Sequence, residues 1–137
     1  MIVAMHETLS PSPLDLRGQR VLVTGASSGI GAATALAFGA AGAIVGAAAR
    51  RGGPLDDIVA QCPDGSKPFV VDLGDPVAVD GLAVRVIGEL GGVDILINNA
   101  GIPKRRTALA LSVADLDEVM AVNFTAPVRL TAGLLPA

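Results

Sequence analysis

The amino-acid sequence predicts an α/β fold in which a parallel β-sheet is buried between layers of helices. Three observations lead there. Short apolar runs rich in β-branched residues alternate with longer helical patterns. The connections between those runs are too long for hairpins, so successive strands are joined by crossovers and lie parallel. The apolar content, 51% of 137 residues with a mean hydropathy of +0.60, is dominated by Ala, Val, Gly and Leu, with three Phe and no Trp or Tyr. Small side chains of this kind let helices approach both faces of a sheet. No break in composition divides the chain, and its length suits one domain.

Residues 1–15, with Ser10-Pro11-Ser12-Pro13, carry no sustained period and predict a flexible leader before a domain beginning at residue 16. Arg20 to Thr24 is a β-branched run halted by Gly25, the first strand. Gly29 to Ala41 predicts a helix with Gly42 placed to end it. Ala43 to Ala48 is the second strand, weakened by its alanines. After the turn Arg50 to Pro54, Pro54 suits the first position of a short helix reaching Gln61. Lys67 to Val71 is the third strand. Asp75-Pro76 then starts a helix, Asp capping free N–H groups and Pro occupying a position that needs no donor. Val79, Leu82, Ala83, Val86, Ile87 and Leu90 form its apolar stripe before Gly91-Gly92. Val93 to Ile97 is the fourth strand. Ser112 and Asp115 have capping-box spacing, and one helix is expected from there to about Leu135.

Composition also excludes functions. A net charge of −3 and a pI near 4.9 give no attraction to phosphate backbones or anionic membranes, and so few aromatics cannot stack on bases; no nucleic-acid partner is expected. Cys62 has no cysteine partner and cannot build a metal site with the lone His6, which favours a structural thiol in a reducing, cytoplasmic setting. The N-terminus has no basic region of a signal peptide, and no membrane span is expected.

The most informative stretch is Thr24-Gly25-Ala26-Ser27-Ser28-Gly29-Ile30-Gly31, between the first strand and first helix. Gly25 permits a tight turn, Gly29 lets the backbone approach a pyrophosphate, and Gly31 allows close helix-to-strand packing. The helix N-terminus then offers free N–H groups to an anion. The alternative is a glycine-rich turn that binds nothing. A kinase-type phosphate loop is excluded, because no Gly-Lys-Ser/Thr follows.

This motif, Asp72-Leu73 after the third strand, Asn98-Asn99-Ala100-Gly101 after the fourth, and Val122-Asn123 beyond them resemble, in order and spacing, the short-chain dehydrogenases/reductases. The resemblance implies a Rossmann-type, doubly wound parallel sheet in the order 3-2-1-4 that binds NAD(P). It implies that Gly25, Ser27, Ser28, Gly29, Ile30 and Gly31 cradle the pyrophosphate, that Asp72, with Leu73, meets the adenine amine, and that Asn99, Ala100 and Gly101 line a ribose. Asp72 could instead be a simple turn former beside Gly74 and Asp75.

An NAD-selective site places an acid after the second strand; this chain has Arg50 and Arg51 there. A guanidinium pairs well with the 2′-phosphate of NADP, so NADP is favoured over NAD, Arg50 first. The alternative is that both arginines are solvated turn residues. Lys104-Arg105-Arg106 is expected to be a charged surface loop, with contact to an anionic ligand as the other reading.

The family's hydride transfer between an alcohol and a carbonyl is implied to need a Tyr, a Lys, a Ser and an Asn. Only the Asn has a matched position, Asn123, as part of a proton relay. The chain has no Tyr, and its lysines are Lys67 and Lys104. Residues 16–137 are thus expected to be a cofactor-binding domain that ends before the catalytic region, inactive alone and prone to self-association through an open sheet edge. A non-catalytic nucleotide-binding module and a non-functional truncated product are the alternatives.

Overall fold

The computed structural model describes residues 14–135, so most of the expected leader, residues 1–13, lies outside the described residues. The backbone is anchored by Leu16, whose N–H donates to the Ala41 carbonyl at 2.8 Å. Four strands follow, β1 (Arg20–Thr24), β2 (Ile44–Ala49), β3 (Lys67–Val70) and β4 (Ile95–Ile97). They form one parallel sheet in the order β3-β2-β1-β4, the doubly wound arrangement expected.

Alternation along β1 shows how the sheet is buried. Val21 and Val23 pack with Val45, Ala47, Leu55 and Ile58 under helices α1 (Gly29–Ala40) and α2 (Gly52–Val59). Leu22 points the other way, into a cluster with Phe69, Val79, Leu82 and Val86 beneath α3 (Pro76–Leu90). The same cluster takes Ala126 and Leu130 from α5 (Ala126–Leu134), which packs on α3 through Gly133 against Ala83 and an Arg129–Asp80 ion pair. A strand buried on both faces must be apolar at consecutive positions, which is why β1 reads as an unbroken run.

At the opposite end of the sheet from the glycine motif, Arg20 ties β1 to β4. Its guanidinium donates to both Asp94 oxygens at 2.9 Å and to the Gly91 carbonyl, and its backbone N–H donates to Asp94 Oδ2 at 2.8 Å. These bonds hold the Asp94 carboxyl down at about 2.

Element boundaries differ from expectation for local reasons. β2 starts one residue late, at Ile44, because the Ala43 N–H is committed to the Phe38 carbonyl at the end of α1. α2 begins at Gly52 rather than Pro54 and closes at Val59; a proline fits anywhere in a first turn whose N–H groups have no partner. β4 is three residues rather than five.

The larger correction lies between Ser112 and Leu135, where a single regular helix was expected. The chain instead forms α4 (Val113–Met120), a π-helical turn over Ala121–Thr125, and α5. Ala126 donates to the Ala121 carbonyl, five residues back. Pro127 explains the widening: it has no N–H for the Asn123 carbonyl, and its ring would clash with that carbonyl in a regular α-helix. At the start of α4, Ser112 Oγ accepts from Asp115 N at 3.1 Å and Asp115 Oδ2 accepts from Ser112 N at 3.2 Å, a complete capping box.

Candidate cofactor site

The C-terminal ends of the strands open onto a cleft of about 890 Å³. Such ends are where open parallel sheets bind ligands, because the loops diverge there. Of the residues singled out in the sequence, Gly25, Ser27, Ser28, Arg50, Arg51, Asp72, Leu73, Asn99, Ala100 and Gly101 line it. Gly29, Ile30, Gly31 and Asn123 do not, and each has a distinct place.

Gly29 opens α1 with φ +56°, and a Cβ there would meet no atom within 4 Å. Ile30, 80% exposed, projects into solvent from the same turn. Ser28 caps α1 without a side-chain hydrogen bond, and no acid lies in the first turn. By contrast, α3 is capped by Asp75 and α4 by Ser112. The leading N–H groups of α1 are therefore left for an anion or water. Gly31 faces inward: a Cβ there would stand 2.2 Å from the Gly25 carbonyl oxygen and 2.5 Å from Asn99 Nδ2. It is the contact point at which helix, turn and the β4 loop meet.

The node holding them is Thr24, 2% exposed and not among the expected site residues. Its hydroxyl donates to the Ile97 carbonyl at 3.3 Å and accepts from the N–H groups of Asn99 and Ala100, each at 3.1 Å. Asn99 returns the connection, its Nδ2 donating to the carbonyls of Thr24 at 3.1 Å and Gly25 at 3.4 Å. The Asn99 side-chain amide thus braces the glycine turn from beneath. The sequence signal for this node was a hydroxyl directly after the aliphatic run Val21 to Val23; a buried hydroxyl needs a polar partner.

Asp72 Oδ1 accepts from Gly74 N at 2.9 Å, forming the turn considered as its alternative role, while Oδ2 has no protein partner among the described residues. Leu73, 9% exposed, buries its side chain in the core. Arg51 reaches toward the glycine turn, its Nη2 donating to Ser27 Oγ at 3.4 Å, and Arg50 is exposed beside it.

Asn123 sits in the π-helical turn and grips one residue by both sides of its amide. Oδ1 accepts from Ile102 N at 2.8 Å and Nδ2 donates to the Ile102 carbonyl at 2.9 Å. Ile102 itself lines the cleft, as do Val122 and Glu118, none of which the sequence singled out as ligand-facing. The basic run after the asparagine motif is only partly solvated. Lys104 lies 2.6 Å from Glu118 and 3.6 Å from Asp115, and Arg106 lies 3.2 Å from Asp115. The Asp115 carboxyl is lowered from its ordinary value, first by its bonds from Ser112 and then by these two cations.

Elsewhere, Cys62 donates to the Ile58 carbonyl at 3.3 Å and packs against Gly39, and burial pushes its thiol up. No helix among the described residues is long and apolar enough to cross a membrane.

Comparison with known proteins agrees with this geometry. The short chain dehydrogenase family profile matches residues 19–137. The fatty acyl-CoA reductase of Mycobacterium tuberculosis is 46% identical over 130 residues, which are 90% of this chain and 44% of that protein. A short-chain dehydrogenase from Streptomyces avermitilis superimposes with a TM-score of 0.81 at 40% identity, over 86% of this chain and 43% of its own. One from Burkholderia cenocepacia J2315, solved in complex with NADP, gives 0.77 at 36% identity, over 87% and 50%. The chain spans about half the length of the relatives it matches. With the 3-2-1-4 sheet, the glycine turn at the head of α1 and a family match over residues 19–137, this chain is a member of the short-chain dehydrogenase family.

Proposed function

We propose that this chain binds a nicotinamide dinucleotide, NADP in preference to NAD, as the cofactor-binding part of an oxidoreductase acting on an alcohol or carbonyl compound. The observation that carries the cofactor choice is the pair Arg50 and Arg51 on the cleft wall after β2, where no acid stands to take the ribose hydroxyls. The Burkholderia relative solved with NADP supports the same reading. In this reading the unfilled N–H groups of α1, together with Gly25, Ser27, Ser28, Gly29, Ile30 and Gly31, receive the pyrophosphate. The free oxygen of Asp72, beside Leu73, accepts from the adenine amine. Asn99, Ala100 and Gly101 wall the ribose. Arg50 and Arg51 take the 2′-phosphate. A bound nicotinamide would be the group that supplies or accepts the hydride.

The chemistry of proton exchange with a carbonyl needs a group that can be tuned toward neutrality. This chain has no Tyr; Lys104 is engaged by Glu118 and Asp115, and Lys67 lies on β3. Asn123, committed to Ile102, is the one matched member of the family's catalytic set. We therefore read these 137 residues as binding cofactor without turning it over. We also propose self-association, for which the support is the exposed apolar residues Leu116, Met120, Phe124 and Val128, spaced four apart from α4 to α5, together with the edge position of β4. The single half-buried cysteine fits a reducing compartment, and we place the protein in the cytoplasm.

Calorimetric titration with NADPH and NADH tests the cofactor reading. Charge-assisted contacts to the extra phosphate contribute about 1.5–3 kcal/mol, so NADPH should bind roughly ten- to a hundredfold more tightly. The double variant R50A/R51A should erase the difference. Absence of heat with both cofactors refutes binding, and tighter NADH binding refutes the arginine argument.

A further inference from the structure

The basic run Lys104-Arg105-Arg106 has no part in the cofactor contacts above, yet two of its three cations are taken up by acids of α4. Lys104, its side chain 25% exposed, lies 2.6 Å from Glu118 and 3.6 Å from Asp115. Arg106 lies 3.2 Å from Asp115, whose side chain is 13% exposed because it also closes the α4 cap. The segment so held continues directly from Gly101 and Ile102, which form a wall of the cleft, and Glu118 belongs to that wall as well. On the other side of the segment, Asn123 grips Ile102 through both of its amide bonds. The loop is therefore pinned to one helical element at two places, by neutral hydrogen bonds at Ile102 and by ion pairs at Lys104 and Arg106. The Lys104 pair also offsets the one acid on the α4 side of a cleft that has to admit an anion.

We infer that Lys104 and Arg106 form an ionic clasp with Glu118 and Asp115 that sets the Gly101–Ile102 wall of the cleft, making them positioning residues for the bound dinucleotide. The inference rests on the cofactor reading above. A wall that is already in place does not have to be ordered when the ligand arrives, so the clasp acts on affinity through preorganisation. Lys104 acts through the wall and through Glu118, without touching the ligand itself.

The test measures the dissociation constant of NADPH for the whole chain and its variants, with a thermal melt on each. Lys104→Met should weaken NADPH roughly two- to fivefold, the range for a partly exposed ion pair. Lys104→Arg should restore near-native binding. Charge reversal by Lys104→Glu should weaken binding more, and the swapped pair K104E/E118K should recover most of that loss. Glu118→Lys alone measures what a cation on the cleft wall adds by itself, and rescue by the swap beyond that gain separates a clasp from both direct attraction and general destabilisation.

A second readout needs no cofactor. Glu118→Gln keeps the tryptic sites at Lys104, Arg105 and Arg106, and limited digestion should cut after Lys104 roughly two- to fivefold faster than in the wild type. Unchanged NADPH affinity in Lys104→Met, or a swap that recovers no more than Glu118→Lys adds alone, overturns the positioning role. A wild-type chain that binds no NADPH overturns the cofactor reading and the positioning role with it. Unchanged tryptic cleavage in Glu118→Gln overturns the clasp itself, whatever the cofactor does.

Discussion

Replacing Gly31 by alanine and replacing Gly88 by alanine are the same chemical change made on two helices, and the structure predicts opposite signs. At Gly31 the added carbon would stand 2.2 Å from the Gly25 carbonyl oxygen and 2.8 Å from the Gly25 carbonyl carbon. These are backbone atoms with no rotamer to yield, so α1 and the turn must separate by about 1 Å to restore ordinary contact. Overpacking of this kind costs about 1–3 kcal/mol, and loss of the Asn99 brace adds about 1 kcal/mol. Alanine recovers about 1 kcal/mol of helix propensity, which leaves a net loss of about 1–3 kcal/mol. At Gly88 an added carbon meets nothing within 4 Å and the backbone is regular α3, so only the propensity gain remains, about 0.5–1 kcal/mol of stabilisation. Urea unfolding followed by circular dichroism is the assay, because the chain has no Trp or Tyr for fluorescence. The midpoint should fall in G31A and rise in G88A with the slope unchanged. A G31A chain as stable as the wild type would show that the turn and helix are not in contact there and refute the packing argument.

Three further perturbations test other parts of the fold. Asp94 sits at about 2 in the folded chain against an ordinary 3.8, so its pair with Arg20 stabilises fully above about pH 4 and is lost as the pH falls through 2. The stability gap between wild type and Asp94→Asn should accordingly close between pH 4 and 2 in acid titrations, and a constant gap rejects the pair. Thr24→Val removes the hydroxyl that accepts from both Asn99 and Ala100; the Asn99 N–H keeps its bond to the Ile97 carbonyl while the Ala100 N–H is left unsatisfied at about 1–3 kcal/mol, and denaturant unfolding should show a loss in that range. Pro127→Ala restores a donor for the Asn123 carbonyl and should let the π-helical turn tighten, so that the Ile102 amide loses protection in hydrogen exchange; unaltered protection would mean the widening has another cause.

What was legible in the sequence was what neighbouring residues decide among themselves. Arg20 to Thr24, the Asp75-Pro76 start and the Ser112–Asp115 box were readable because strand runs and caps are local chemistry. The direction of the Asn99 side chain was not, since its acceptor at Thr24 lies 75 residues away. Nor was the pairing of Lys104 and Arg106, because a basic run gives no sign that the next helix turns its acids toward it. The π-helical turn was hidden for a different reason. The apolar pattern continues through Pro127, and whether a proline ends a helix or widens it depends on tertiary packing, here Leu130 in the core and Gly133 against Ala83.

The brace between Thr24 and Asn99 also has a kinetic meaning. β1 and β4 are adjacent in the sheet, but the chain must pass through β2, β3 and three helices before β4 exists to pair with β1. The β1–α1 turn is an early stretch of chain whose final shape is supplied by a late one, and closing so long a loop is entropically slow. A refolding experiment should therefore find cofactor binding returning with the last phase, after the β1–β2–β3 half has gained its secondary structure. Binding competence in this chain then reports the completion of folding rather than its onset.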